Sequence, residues 1–226
     1  MEKSSKSYWK LGLSLVKSLL ILVMLSILYG LPDMLLFFPM PDMIIALAQT
    51  IINIFVIRVF INYYKKGINK NGFKVNRVSP SKEIILFLIA MYMIVMGMDW
   101  VFNNLFTIET PENQQLIEEL FLSAPISMAI SGVIIAPISE ELIFRGIFFN
   151  LFYKPEAKFG KLFIILSSAL VFGLIHETSP SLSLIYYSVM GAVLGVTYLY
   201  TKDIRYSIFL HFVNNAVAFG LMYLQY

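Results

Sequence analysis

Two adjacent glutamates and an arginine interrupt an apolar part of this sequence, in the stretch Ser139-Glu140-Glu141-Leu142-Ile143-Phe144-Arg145-Gly146. A charged side chain in the middle of a membrane segment costs about 3 kcal/mol even on lenient insertion scales, so its presence is typical of a functional site. A carboxylate shielded from bulk water is also a useful general base near neutral pH. Glu140 and Glu141 are therefore the candidate catalytic carboxylates.

The chain has two histidines, and both lie in apolar segments that follow the glutamates. His176 ends one such run, and His211 precedes Asn215 by four residues, a spacing that places both on one helical face. An imidazole can relay the proton that a carboxylate takes from water, and Asn215 with a histidine N–H can stabilise a tetrahedral oxyanion. These side chains indicate hydrolysis by activated water. Asn214 is expected instead to hydrogen-bond between helices.

Arg145 stands one helical turn after Glu141, a spacing that favours an ion pair between them. Such a pair would keep Glu141 ionised and satisfied inside the membrane. We therefore expect Glu140 to be the base that activates water, with Glu141 and Arg145 as its supporting pair. Loss of activity in Glu141→Gln with retention in Glu140→Gln would reverse these roles.

A metal site is the alternative to catalysis by side chains alone. Glu140, His176 and His211 would supply the two imidazoles and the carboxylate of some catalytic zinc sites. The sequence has no H-E-x-x-H motif, the arrangement that places two such histidines on one helix. It also has no cysteine, which excludes thiolate zinc sites, thiol nucleophiles and disulfides. We favour catalysis without a metal or other cofactor, with divalent zinc as the alternative.

The composition predicts an all-α membrane protein. Hydrophobic residues make up 58% of the 226 residues and charged residues 14%, whereas soluble domains carry about 25% charged residues. Seven apolar segments predict a polytopic transmembrane helix bundle: 11–31, 42–64, 83–106, 121–153, 162–176, 181–200 and 204–222. The first is expected to be a retained span, because its apolar region is too long for a signal peptide and no cleavage site is evident.

The basic residues follow an alternating pattern along the chain. Lysine and arginine concentrate in the N-terminal tail and in three connections, 65–82 (which includes Lys70 and Lys74), 154–161 and 202–205. The connections between these carry only acids, among them Glu109. By the positive-inside rule, this alternation predicts about seven spans with a cytoplasmic N-terminus. The lipid bilayer is the expected environment, and no nucleic acid is expected as a partner.

The fourth segment, 121–153, is too long for one simple span, since 33 residues of helix would extend about 50 Å. Pro125 and Pro137 are the candidate break points. Counting helical rise from the basic connections places Glu140 and His176 at a shared depth only if the helix continues past Pro137. We therefore predict that the charged stretch lies in the membrane part of the fourth helix, with 109–124 as an outer approach.

Three short motifs in this order resemble those of the intramembrane CAAX-processing and bacteriocin-processing proteases (CPBP, or Abi). The family patterns E-E-x-x-x-R, F-x-x-x-H and H-x-x-x-N are found here as Glu140-Glu141…Arg145, Phe172…His176 and His211…Asn215. The resemblance covers roughly residues 121–220. It implies an endopeptidase in which glutamate and histidine activate water while histidine and asparagine form the oxyanion hole. The family commonly has eight helices, so eight spans is the alternative to seven.

The resemblance implies a glutamate-type intramembrane endopeptidase of the bacterial cell membrane that cleaves a membrane-associated peptide or protein. CAAX-type processing, peptide maturation and bacteriocin self-immunity are the roles it suggests. We expect two parts: N-terminal helices with an acidic outer loop, 1–120, and a catalytic core, 121–226. Two other classes of function stay open, a catalytically silent membrane scaffold or regulator of the same fold and a proton-coupled transporter.

Overall fold

In the computed structural model the chain is a bundle of helices, and the structure describes residues 2–68, 73, 75–106 and 112–225. The helices of these ranges are α1 Glu2–Gly30, α2 Asp42–Gly67, α3 Lys82–Leu105, α4 Glu112–Ser123, α5 Pro125–Phe152, α6 Gly160–His176, α7 Leu182–Thr201 and α8 Ile204–Gln225. A 3₁₀ turn, Pro32–Phe37, follows α1. Lys70, Lys74 and Glu109, which belong to the predicted charge pattern, lie outside the described residues.

Six stretches of the described chain are long and apolar enough to cross a bilayer: Gly12–Phe37, Asp42–Gly67, Lys82–Leu105, Pro125–Phe152, Leu182–Thr201 and Ile204–Leu224. The helix α6 is apolar but shorter, with 17 residues. Each of the seven predicted segments thus overlaps one of these apolar helices, and the chain is an integral multi-pass membrane protein. The additional helix α4 has 12 residues and spans only about 18 Å, too little to cross.

The fourth apolar segment divides before Pro125. Ala124 leaves the helical conformation with φ −144° and ψ 64°, and α5 begins at the following proline. The carboxylate of Asp42, at the start of α2, accepts hydrogen bonds from the backbone N–H groups of Ile126 at 2.8 Å and Ser127 at 2.9 Å. These N–H groups have no partner within their own helix, so Asp42 caps α5 from outside. Of the two proposed break points, Pro125 is the break.

Pro137 lies inside α5 without ending it. The preceding stretch, Ile130–Ile135, is a π-helix, in which each N–H bonds to the carbonyl five residues earlier. Proline has no N–H, so the carbonyl of Gly132 loses the bond that this register would give it. The side chain of Asn215 on α8 donates to that carbonyl instead, at 2.9 Å. The helix therefore continues through the charged stretch, as the depth argument predicted.

Two of the basic connections meet at one end of the bundle. The backbone N–H of Asn76 donates to the carbonyl of Lys202 at 3.0 Å, and that of Val78 donates to the carboxylate of Asp203 at 3.1 Å. Arg205 in turn donates to the carbonyl of Val78 at 3.1 Å. The connection before α3 thus packs on the connection before α8, in agreement with the alternating charge pattern. The cytoplasmic assignment of this end remains a prediction.

The helices α6 and α7 pack closely because small residues lie between them. A Cβ atom on Gly191 would come within 3.0 Å of the Cα atom of Ala169, and one on Gly173 within 2.2 Å of the Oγ atom of Ser188. At either position a larger side chain would displace a neighbouring atom of the other helix. This close approach brings the backbone of α7 within reach of side chains on α5.

Candidate active site

The charged stretch of α5 is buried in the bundle. Glu141 and Arg145 have no exposed surface, and Glu140 is 6% exposed. The Nη1 atom of Arg145 donates to the Oε1 atom of Glu141 at 2.7 Å. The ion pair expected from their four-residue spacing is therefore present, and each of its charges balances the other inside the bundle.

Arg145 also contacts the two helices that follow α5. Its Nη2 atom donates to the backbone carbonyl of Gly191 on α7 at 2.7 Å. Its guanidinium lies 4.7 Å from the centre of the Phe172 ring on α6, close enough for a cation–π interaction. A carboxylate, a carbonyl and an aromatic face thus replace the water that this buried cation has lost. Arg145 connects α5 to α6 and α7.

His211 lies between the two glutamates. Its Nδ1 atom is 3.2 Å from the Oε1 atom of Glu141, and its Nε2 atom is 3.9 Å from the Oε2 atom of Glu140. The side chain is almost completely buried. Glu141 is therefore placed to hold the ring of His211 in position.

His176 is oriented by its own helix. Its Nδ1 atom is 2.8 Å from the carbonyl of Phe172, one turn earlier. Because a carbonyl oxygen only accepts, Nδ1 carries the hydrogen of this bond, and in the neutral ring the lone pair lies on Nε2. The imidazole also stacks on Tyr187, with ring centres 4.8 Å apart. These contacts direct Nε2 toward Glu140, whose Oε2 atom lies 3.8 Å away.

The two imidazoles therefore approach the same carboxylate oxygen, Oε2 of Glu140. The separations of 3.8 Å and 3.9 Å are too long for direct hydrogen bonds. They are of the size that one bridging water molecule spans. Oε2 is buried and accepts no hydrogen bond from the part of the chain that the structure describes. The geometry brings Glu140, His176 and His211 to one point, as the sequence predicted.

Sequence reasoning missed Tyr29, a residue of α1 in this site. Its hydroxyl donates to the other carboxylate oxygen of Glu140, Oε1, at 2.8 Å. The two residues are 111 positions apart in the chain. Asp33, one turn after Tyr29, was an available signal, because an acid and a tyrosine four residues apart share a helical face. Tyrosine is common near membrane interfaces, however, so this signal was weak.

A cavity of about 430 Å³ opens beside the carboxylate of Glu140. Both histidines, Asn214 and Asn215 line it, together with Asn113 of α4. Most of its other lining residues are apolar, and those from the 3₁₀ turn, α4, α5 and α8 include Leu36, Phe37, Leu116, Ile117, Leu120, Met128, Phe219 and Met222. The described part of the predicted outer approach, α4, therefore forms one wall of the cavity.

The two asparagines of α8 differ from expectation in one respect. The interhelical hydrogen bond belongs to Asn215, through its bond to Gly132, whereas the side chain of Asn214 donates within its own helix, to Asn215 at 3.4 Å. The reason is that Pro137 has no N–H to donate to the carbonyl of Gly132, and this carbonyl faces Asn215. Only one N–H of the Asn215 amide is needed for this bond, and the residue still lines the cavity beside His211.

The geometry does not form a compact metal site. Three ligands bound tetrahedrally to zinc at about 2.1 Å would lie about 3.4 Å from one another, and Oε2 of Glu140 is farther than this from both imidazoles. Among the described residues, no group of three His, Cys, Asp or Glu side chains is close enough to hold an ion. We therefore derive no step of the reaction through a metal.

Part of this chain resembles known proteins. Residues 122–217 match the family described as type II CAAX prenyl endopeptidase, Rce1-like. The chain is also similar to a Bacillus subtilis protein named "Putative membrane peptidase YdiL", with 36% identity over 104 residues, which are 46% of this chain and 40% of the relative. The match thus spans less than half of that relative's length. No solved structure matches the chain significantly.

Proposed function

Because residues 122–217 match the Rce1-like CAAX prenyl endopeptidases, we propose that the chain is an intramembrane endopeptidase acting on a membrane-associated peptide or protein. One observation carries the proposal. Oε2 of Glu140 lies 3.8 Å and 3.9 Å from the Nε2 atoms of two imidazoles on separate helices, at the wall of a cavity. A carboxylate and two imidazoles around one water-sized gap suit the activation of water.

In the first step, a water molecule between Glu140 and His176 gives a proton to Oε2 of Glu140. The lone pair on Nε2 of His176 accepts the second water hydrogen as a hydrogen bond. The water oxygen forms a bond to the carbonyl carbon of the peptide, and the C=O electron pair moves to the carbonyl oxygen. A tetrahedral oxyanion results, which needs preorganised donors in a site with little water.

His211 and Asn215 are the proposed donors to this oxyanion. The Nδ1 atom of His211 faces Glu141, so an imidazolium at this position would direct its Nε2–H into the cavity. The second N–H of the Asn215 amide supplies another donor, because the first is bound to Gly132. Glu141 and Arg145 then act by keeping this cation in position.

In the second step, the tetrahedral intermediate collapses and the C–N bond breaks. Glu140 returns its proton to the departing nitrogen, which leaves as an amine. The acyl part leaves as a carboxylic acid that ionises in water. Glu140 thus begins and ends the cycle ionised, and the only reactant consumed besides the peptide is water.

The cavity lining suggests the kind of substrate. Its walls are mostly apolar, and Glu140, both histidines and Asn215 are among the polar residues that line it. A peptide that carries a lipid group or an apolar segment would bury the apolar surfaces while its scissile bond meets Glu140. We propose substrates of this class for the chain, in CAAX-type processing, peptide maturation or bacteriocin self-immunity.

The test compares the membrane peptides of cells that carry the wild-type protein or Glu140→Gln. We expect peptides that appear only with the wild type, and the purified protein in liposomes should cleave a synthetic copy of their precursor. Glu140→Gln should lower kcat at least about 1,000-fold, because the general base is lost. Glu119→Gln, which changes an exposed glutamate of α4, is the matched control and should cleave normally. Full cleavage by Glu140→Gln would refute the proposal.

Catalysis without a metal is a further part of the proposal. We expect cleavage by the purified protein to survive dialysis against a strong chelator and to be independent of added zinc. Metal analysis of the active preparation should find less than one zinc ion per chain. Loss of cleavage in chelator with recovery on addition of zinc would assign Glu140, His176 and His211 to a metal instead.

A further inference from the structure

The two oxygens of the Glu140 carboxylate have different surroundings. Oε1 accepts a hydrogen bond from the hydroxyl of Tyr29 at 2.8 Å. Oε2 faces the Nε2 atoms of His176 and His211. A carboxylate turns easily about its terminal torsion, which is broad and roughly two-fold. A fixed donor to one oxygen therefore decides where the other oxygen points.

The end of α1 that carries Tyr29 is tied to two other helices. Asp33 lies one turn after Tyr29, and its Oδ1 atom accepts hydrogen bonds from Ser131 on α5 at 2.9 Å and from Gln49 on α2 at 3.1 Å. Gln49 is 2% exposed. These bonds join the start of the 3₁₀ turn to the helix that bears Glu140. The Tyr29 hydroxyl is thereby held at a defined position relative to the carboxylate.

We infer that Tyr29 is a positioning residue for Glu140, which holds Oε1 so that Oε2 stays directed at the water proposed between Glu140 and His176. The inference rests on the proposed peptidase function. Its consequence is that α1, which lies outside the family-matched residues 122–217, completes the catalytic site. A catalytic group must be held within about 0.5 Å of its productive position, and this contact provides that restraint for Glu140.

Tyr29→Phe tests the inference, because it removes the hydroxyl and keeps the ring. We expect kcat to fall about tenfold while KM stays within about twofold, since the loss affects the base and not the substrate-binding walls. The melting temperature should stay within a few degrees. Tyr198→Phe is the matched control: its hydroxyl pairs with that of Tyr64 at 3.2 Å, away from the cavity, and its kcat should be unchanged.

A wild-type kcat for Tyr29→Phe would overturn the inference, and so would a change in kcat and KM together with a large loss of melting temperature. The second result would assign a structural role to Tyr29. Glu140→Gln, measured in parallel, separates this outcome from failure of the proposed function. An inactive Glu140→Gln beside a fully active Tyr29→Phe refutes only the positioning role. An active Glu140→Gln refutes the peptidase itself.

Discussion

Two neighbouring residues of the same type have different surroundings in this site. Glu141 has no exposed surface, and its carboxylate contacts the guanidinium of Arg145 and the imidazole of His211. Glu140 meets Tyr29 through one oxygen and leaves the other beside the cavity. These different contacts suit the two identical side chains to different roles: we propose Glu140 as the general base and Glu141 as the residue that positions His211.

Arg145→Ala should destabilise the protein strongly. The change leaves Glu141 as a buried carboxylate without its cation and removes the link to the carbonyl of Gly191. Breaking a buried ion pair in this way costs about 3–5 kcal/mol. We expect a markedly lower melting temperature for the detergent-solubilised variant. Arg58→Ala, which changes an exposed arginine of α2, is the control, and an equal melting temperature for the two variants would contradict the structural role of Arg145.

The helices gain their positions from polar contacts at their ends as well as from apolar packing. Asp42 of α2 caps α5, which fixes where the long fourth segment divides. Asp203, between α7 and α8, accepts hydrogen bonds from Arg205 and from the backbone of the connection before α3. Each contact joins helices that are distant in the sequence. These contacts determine how the helices are arranged and take no part in the proposed reaction.

Asp203 gives the fold a dependence on acid. Burial raises the pKa of Asp203, whereas hydrogen bonds from the Arg205 side chain and from the backbone N–H groups of Val78 and Arg205 lower it. The lowering is the larger effect, so the pKa of Asp203 is below its ordinary value. The ionised carboxylate therefore stabilises the fold above about pH 4, the ordinary value of an aspartate. This contribution is lost as the pH falls through the lower, folded value.

Asp203→Asn should lower the melting temperature near pH 7, by an amount equivalent to about 2 kcal/mol for lost hydrogen bonds to a charged group. It should also lose less stability than the wild type between about pH 4 and pH 3, because the titrating group is gone. Thermal unfolding in detergent across this pH range measures both effects. Glu156→Gln, at an exposed position between α5 and α6, should behave as the wild type. Identical acid profiles for Asp203→Asn and the wild type would contradict the assignment.

At the scale of the whole molecule, the cavity beside Glu140 is built by both halves of the chain. The family match covers residues 122–217, yet the 3₁₀ turn and α4 form walls of the cavity and α1 supplies Tyr29. The division into helices 1–120 and a core 121–226 remains a prediction of the sequence. If the positioning role of Tyr29 is correct, the core should depend on the first helix for its full rate.

The sequence by itself determined the membrane environment, the approximate number of spans and the six candidate residues of the site. These properties are local: hydropathy adds up along a segment, and a charge or histidine is conspicuous in an apolar run. The ion pair of Glu141 with Arg145 could also be predicted from the sequence, because it depends only on helical spacing.

Only the tertiary structure decided which atoms meet. The choice of Pro125 as the break, the bond of Asn215 to Gly132 and the contact of Tyr29 with Glu140 each depend on how separate helices pack. Membrane helices are joined by close packing and interhelical hydrogen bonds, and apolar periodicity along one segment does not specify these partners. The position of Oε2 between two imidazoles, on which the proposed chemistry depends, is therefore a property of the assembled bundle.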